Sequence, residues 1–292
     1  MHMPAAELEI DETLVAELLR QQHPDLTGSL RLVANGWDNA IFRLGDDLCV
    51  RLPRRQVAVE LTVHEQRWMP VVAELVRVPV PVPVRVGVPS DTYPWPWTVN
   101  AWLPGRAAVE VPAAQRGAFA VDLAGFMADL HQPAPPDAPR SPVRGVPLTD
   151  RAPAVEQRLD SGLIPHSGQL RPLWTELVAT PRWEGPPLWI HGDPHPANFL
   201  VDEAGRLAAV IDFGDVNAGD PATDLAAGWM VFDAEARDVF HAELVRRDAV
   251  DEATWARAKG WALNIGTALA AASSDNPAMA SVAAHTIAEV LR

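Results

Sequence analysis

Hydrophobic positions recur at helical spacing over residues 8–21, where Leu14, Val15, Leu18 and Leu19 follow Asp11, and this predicts a short helix capped by that aspartate. The pattern then changes to short apolar runs at residues 30–33, 40–44 and 48–52, with turn residues at Asn35-Gly36 and at Gly45-Asp46-Asp47. Three such runs in succession predict an antiparallel sheet. Helical spacing returns over 56–69 through Val57, Leu61, Glu65 and Trp68. In VRVPVPVPVRVGVP at 76–89 the prolines lack the amide hydrogen that a helix or central strand requires, so this stretch reads as an extended connection with an edge-strand portion. WTVNAW at 97–102 reads as a further strand, ended by Leu103-Pro104-Gly105.

Beyond that point the pattern is mainly helical. A helix is expected from Pro112 through residues 131–132, followed by the irregular APPDAPRSPVRG, and three helical segments are expected at 222–246, 251–272 and 277–291. Between them lies an island of strand at 187–190, 199–201 and 207–211, with a hairpin turn at 203–206. The change near residue 103 divides the chain into residues 1–102 and 103–292. The expected class is α+β, with a small antiparallel-sheet N-terminal lobe and a larger, mainly helical C-terminal lobe.

Composition narrows the function. With 48% hydrophobic and 21% charged residues the chain is too apolar to stay disordered. Its net charge of −14 repels nucleic-acid backbones and anionic membranes and suits a cationic ligand. Cys49 is the single cysteine, so no intrachain disulfide forms, and its apolar neighbours make it an expected buried thiol. MHMPAAELEI carries no secretory-signal pattern and no apolar run is long enough to span a bilayer, so the expected location is the cytoplasm.

The chemistry concentrates in HGDPHPANFLV at 191–201 and VIDFGD at 210–215. Asp193 and Asn198 stand five positions apart, the separation of the HRDxxxxN kinase loop, and Asp212-Phe213-Gly214 reproduces the DFG element. On a loop, Asp193 can accept the proton of an attacking hydroxyl, while Asn198 and Asp212 offer hard oxygen ligands to a divalent cation. A zinc hydrolase built on His191, Asp193 and His195 is the competing reading, although it leaves Asn198 and Asp212 without a role.

HGDPHPANFL at 191–200, IDFGDVNAGDPATDLA at 211–226 and GWDNAIFRLGDDLCVRLPRR at 36–55 resemble the aminoglycoside phosphotransferase family. The run at 36–55, with WLPG at 102–105 and ADLH at 128–131, looks closest to its branch containing macrolide kinases. The resemblance implies a two-lobed protein-kinase-like fold and ATP-dependent, magnesium-dependent transfer of the γ-phosphoryl group to a hydroxyl of a small molecule, with an aminoglycoside or macrolide antibiotic as an expected acceptor. Asp193 is then the catalytic base, Asn198 and Asp212 hold the metal, and His191, His195 and Asp215 support them. Asp220 and Asp224 read as backbone anchors or caps. Gly36 in the NGWDN turn would let backbone amides approach phosphate, with Asp38 and Asn39 shaping the loop. Arg51 stands where such kinases usually carry lysine, with Glu65 as its expected partner and Glu60 as the runner-up. The strand at 97–102 implies a hinge whose backbone around Val99 to Ala101 meets the adenine edge. Trp229, Asp233 and Trp261 could line an acceptor pocket, though helix packing explains them as well. A catalytically silent nucleotide-binding module on the same fold is the alternative that the arginine at position 51 motivates.

Overall fold

Asp11 caps the first helix as its spacing predicts: its carboxylate accepts the Leu14 N–H at 2.8 Å, and α1 runs over Glu12–Gln22. The computed structural model describes residues 5–292, so residues 1–4, which begin both the stretch read for a secretory signal and the expected 1–102 lobe, lie outside the described residues. Contacts divide the chain into two units: one runs up to Glu74 and includes Pro79–Pro104, and the other comprises Leu75–Val78 and Gly105–Arg292.

In the first unit, β1 (Leu30–Asn35), β2 (Asn39–Leu44) and β3 (Leu48–Pro53) form an antiparallel meander. α2 (Val59–Leu75), entered through a short 3-10 turn at Gln56–Ala58, separates them from β4 (Pro83–Gly87) and β5 (Trp97–Ala101). The strand order is β1-β2-β3-β5-β4, which leaves β4, begun by Pro83, at an edge, where a proline is tolerated. Alternation along β2 turns Ala40, Phe42 and Leu44 inward, against Val15 and Leu18 of α1 and against Trp97. α2 continues six residues past its expected end and contains Pro70. Burial of Trp68, Met69 and Val72 holds it across a residue that would stop an isolated helix.

The second unit opens with β6 (Arg106–Ala107) and α3 (Ala120–Leu130). Residues 113–119, expected to continue a helix from Pro112, are 3-10. α4 (Leu148–Asp160) and α5 (Ser167–Val178) have no counterpart in the sequence reading: Pro153 and Pro172 lie inside them and obscure a helical pattern whose buried face is narrow. β7 (Leu188–Ile190), β8 (Phe199–Val201), β9 (Leu207–Val210) and β10 (Asn217–Gly219) follow. They form two small antiparallel sheets, β6-β8-β9 and β10-β7. The segment expected as one helix at 222–246 is three: α6 (Ala222–Leu225), α7 (Ala227–Met230) and α8 (Ala234–Arg246), the last restarted by Asp233 accepting the Ala236 N–H at 3.0 Å. α9 (Glu252–Ala272) and α10 (Pro277–Val290) complete the unit, with Trp174, Trp261, Phe232 and Phe240 in its interior. The fold is therefore an N-terminal antiparallel-sheet lobe followed by a mostly helical C-terminal lobe, a bilobal kinase-like architecture. Among the described residues no helix is long and apolar enough to cross a membrane.

Candidate active site

In the sheet unit, Arg51 on β3 and Glu65 on α2 form a closed pair. The Arg51 guanidinium lies 3.0 Å and 2.9 Å from the two carboxylate oxygens, and neither residue exceeds a tenth exposure. Glu60 extends into solvent 3.9 Å from His64, which leaves Glu65 as the partner. Burial raises the pKa of the Cys49 thiol, against the pull of Arg51, and fits a packed and inert residue.

The backbone adds detail to two expectations for this unit. Gly36 sits in the β1–β2 turn, but its N–H is committed to the Asn39 carbonyl at 2.9 Å, and an added Cβ would meet that oxygen only at 3.4 Å. A phosphate contact in this turn therefore falls to neighbouring amides, and the turn does not depend on glycine's extra freedom. Val99 is opposite Val50 on one side and Arg85 on the other, so its backbone is taken up by the sheet. Ala101 ends β5, exposed and opposite Leu48 alone, and has the freer backbone.

In the helical unit the loop after β7 is held from beneath by Asp224, which is fully buried. Its carboxylate accepts the His191 and Gly192 N–H groups, each at 2.8 Å, and lies 3.1 Å from His131 Nε2. Gly192 has φ 89°, and a Cβ there would stand 2.5 Å from the Asp215 carbonyl, so the HGD turn needs glycine. His191 Nε2 donates to the Ile211 carbonyl at 2.9 Å, and its Nδ1 accepts the Asp193 N–H at 3.2 Å. That imidazole ties the Asp193 turn to the residue before Asp212. With both nitrogens used, it cannot ligate zinc, which removes the hydrolase reading.

Asp193 emerges from this support with 23% of its side chain exposed. Its Oδ2 is 3.1 Å from His195 Nε2, and its Oδ1 is 3.6 Å from the Arg144 guanidinium. Asn198 Nδ2 donates to the Asp193 carbonyl at 2.9 Å and approaches Oδ2 at 3.3 Å. These bonds use the amide's donor side and turn its oxygen the other way. Asp212 is exposed beside the buried Phe213 and has φ 63°, a left-handed conformation that costs an aspartate about 1–2 kcal/mol and is typical of working sites. An outward amide oxygen and an exposed carboxylate make a donor set suited to magnesium, which takes few protein ligands and fills its octahedron with phosphate and water.

Electrostatics follow this arrangement. Burial opposes the charge on Asp193, but His195 and then Arg144 outweigh it and hold the carboxyl well below its ordinary range. Burial likewise opposes a charged His195, and the Asp193 carboxylate overrides it, raising the imidazole's pKa. Asp215 moves the other way, pushed up by burial and by Asp193 and Asp212 while Arg144, 3.7 Å away, pulls it back.

Arg144 and His131 escaped the sequence reading of the site. Arg144 lies in a proline-rich stretch without periodicity, and His131 belongs to the ADLH motif, which reveals nothing of its distant partner. Asp220 pairs with buried Arg257 at 2.7 Å and caps Ala222. Trp229 packs on Trp255 with ring centroids 4.5 Å apart, Asp233 is a cap and Trp261 is fully buried, so all three are structural.

Residues 29–261 match the family described as phosphotransferase enzyme family. Over the whole fold, the chain resembles the GDP complex of wild-type aminoglycoside 2'-phosphotransferase-IIIa, with a TM-score of 0.67, 19% identity and coverage of 96% of this chain and 99% of that one. It resembles the macrolide 2'-phosphotransferase MphH from Brachybacterium faecium to a similar degree, with a TM-score of 0.63, 22% identity and coverage of 95% and 98%. A stretch of 50 residues is 36% identical to the uncharacterized protein YcbJ of Bacillus subtilis (strain 168), covering 17% of this chain and 16% of that protein. The two structural likenesses are too even to assign the macrolide branch over the aminoglycoside one. A match over most of the chain, on a kinase-like fold whose HGD and DFG segments meet around one loop, places this protein in the phosphotransferase enzyme family.

Proposed function

We propose that this protein transfers the γ-phosphoryl group of ATP to a hydroxyl of a small organic molecule, with Asp193 as the base that orients and deprotonates it. The observation that carries the reading is the convergence on Asp193 of His195 at 3.1 Å and Asn198 at 3.3 Å, on a loop pinned by Asp224. The depressed carboxyl stays ionised at neutral pH and can accept the hydroxyl's proton as the phosphoryl group arrives. His195, held on Oδ2, fixes the carboxylate's orientation. Asn198 and Asp212 would hold magnesium, which supplies charge neutralisation on the phosphate oxygens. In the sheet unit Arg51, fixed by Glu65, steadies phosphate, and the backbone at Ala101 meets the adenine edge. The Arg51–Glu65 pair supplies the fixed cation that a lysine supplies elsewhere, which argues against a silent module.

Related structures are of an aminoglycoside and a macrolide phosphotransferase, one of them a GDP complex. The test therefore offers magnesium with ATP or GTP to aminoglycosides, macrolides, sugars, amino alcohols and hydroxy acids, and follows products by mass spectrometry. A product heavier by one phosphoryl group, absent with Asp193→Asn, is expected. Nucleotide binding without any product that depends on Asp193 would instead support a silent module.

A further inference from the structure

We propose that Arg54 and Arg55 make the β1–β2 turn receptive to phosphate, Arg54 by fixing the turn's carbonyls and Arg55 by cancelling the charge of Asp38 at its tip. They are then positioning residues for the terminal phosphates of ATP, and the inference rests on the phosphotransferase reading. Register within the sheet carries the first step. Leu48 lies opposite Ala101, which that reading sets against the adenine edge; Arg51 lies three residues farther along β3, and Pro53, opposite Asn39, two residues beyond that. At about 3.3 Å per residue the turn begins roughly 7 Å past Arg51, on the side away from the base. A nucleotide with its base at Ala101 and its phosphates at Arg51 therefore points its terminal phosphate toward this turn.

The end of β3 grips the turn directly. Pro53 closes the ladder, its carbonyl accepting the buried Tyr93 hydroxyl at 2.7 Å, and the two residues after it both bond to the turn. The Arg54 N–H donates to the Asp38 carbonyl at 2.8 Å, and its guanidinium, on a residue only 5% exposed, donates to the Gly36 carbonyl at 2.6 Å. In a trans peptide the carbonyl and the next N–H point opposite ways, so these bonds aim the Trp37 and Asn39 N–H groups away from Arg54, where an anion can meet them. Arginine-to-carbonyl bonds recur in this chain, as at Arg116 and Arg140, and Arg54 alone would be a structural cross-link. Arg55 adds the charge. Asp38 puts a carboxylate at the tip of the turn, which repels phosphate, and Arg55 lies 2.8 Å from its Oδ1 and neutralises it, with the two side chains 16% and 33% exposed. The Arg55 Nε is buried without a hydrogen-bond partner among the described residues, so the ion pair leaves that guanidinium with a donor unused.

The experiment titrates the full chain with magnesium ATP, magnesium ADP, AMP and adenosine in a calorimeter. It compares wild type, Arg55→Met, Asp38→Asn and the double variant, with a melting temperature for each. Arg55→Met bares the Asp38 charge and is expected to weaken ATP about tenfold, ADP less, and adenosine by less than about twofold. Adding Asp38→Asn to it removes the bare carboxylate and should recover most of the lost ATP affinity. Asp38→Asn alone frees the Arg55 cation and should tighten ATP about threefold; this arm decides the question if Arg55→Met does not fold, and an unchanged or weaker affinity there rejects the inference. With folded Arg55→Met, unchanged ATP affinity, a loss shared equally by adenosine, or a double variant as weak as the single one would overturn it. The last two are what a purely structural cross-link gives. In each of these outcomes wild type still binds ATP, so the phosphotransferase reading stands. Wild type that binds neither magnesium ATP nor magnesium GTP counts against that reading itself, and the inference falls with it.

Discussion

Arg51 and Arg144 are the same side chain put to two uses. Arg51 meets both oxygens of Glu65 at 2.9–3.0 Å with both residues buried, whereas Arg144 is shared between Asp193 and Asp215 at 3.6–3.7 Å and is 23% exposed. A short, two-point ion pair in a dry setting fixes the position of a charge, and breaking it leaves an uncompensated one. A longer pair shared between two carboxylates holds a charge in place without satisfying it and leaves it free to take another partner. The difference separates an arginine held in one position by a single close partner from one shared loosely between two.

The strongest way to test that division is to remove the group beside the loose arginine. Asp193→Asn is expected to lower kcat by about 10²- to 10⁴-fold, the usual contribution of a positioned base. Product formation is followed by mass spectrometry, and a variant retaining more than a tenth of wild-type turnover would exclude Asp193 as the base. The tight pair should register in stability instead. Glu65→Gln is expected to cost about 3–5 kcal/mol in urea unfolding because it strands Arg51, while Glu60→Gln should stay within about 0.5 kcal/mol. Equal effects at the two glutamates would remove the basis for calling Arg51 fixed.

Much of this contrast was legible in the sequence on one side only. Glu65 could be preferred over Glu60 as the partner of Arg51 from its distance to the proline-rich connector and from the apolar Trp68-Met69 pair that follows it on the helix. The loop HGDPHPANF and Asp212-Phe213-Gly214 were equally readable, since their spacing is itself the chemistry. Arg144 was not, because it sits between prolines with no repeating pattern and meets Asp193, 49 positions later, through tertiary folding. Helices α4 and α5 were hidden by Pro153 and Pro172, and the breaks around α7 by an almost continuously apolar run in which every position is buried. The setting of Val99 was hidden for a related reason: strand residues can be recognised in sequence, but whether a strand lies at an edge or between two neighbours is set by the sheet. The placement of the sheet before the helices survived these errors because it rests on the change of period near residue 103.

A smaller effect sharpens the loose side. Arg144→Lys keeps the charge and gives up the planar fork, so it should change stability by less than about 1 kcal/mol, as for a weakly coupled pair, and lower kcat/KM about tenfold. A loss of stability comparable to that of Glu65→Gln would show that Arg144 is as fixed as Arg51.

The smallest expected effect concerns pH and the short contact that Asp193 makes with His195. The imidazole's pKa is raised from 6.5, chiefly by the Asp193 carboxylate working against burial. A group of this kind contributes stability that is fully present below its unfolded pKa and disappears as pH rises through the folded one. The carboxyl's pKa is depressed, so its own contribution, present above an unfolded value of 3.8, fades only as the solution becomes strongly acidic. The pair therefore stabilises the fold between those limits, and the alkaline limit belongs to His195. His195→Gln keeps a hydrogen-bond donor and removes the titration. A charge-assisted bond exceeds the neutral one that glutamine keeps by only about 1 kcal/mol, so the melting temperature of the wild type should exceed that of the variant by a few degrees at about pH 6, and the gap should close toward about pH 9. A gap that is constant across that range would mean His195 acts only as a neutral donor, and Asp193 would then owe its depressed pKa to Arg144, which makes the loose arginine the dominant charge on the base.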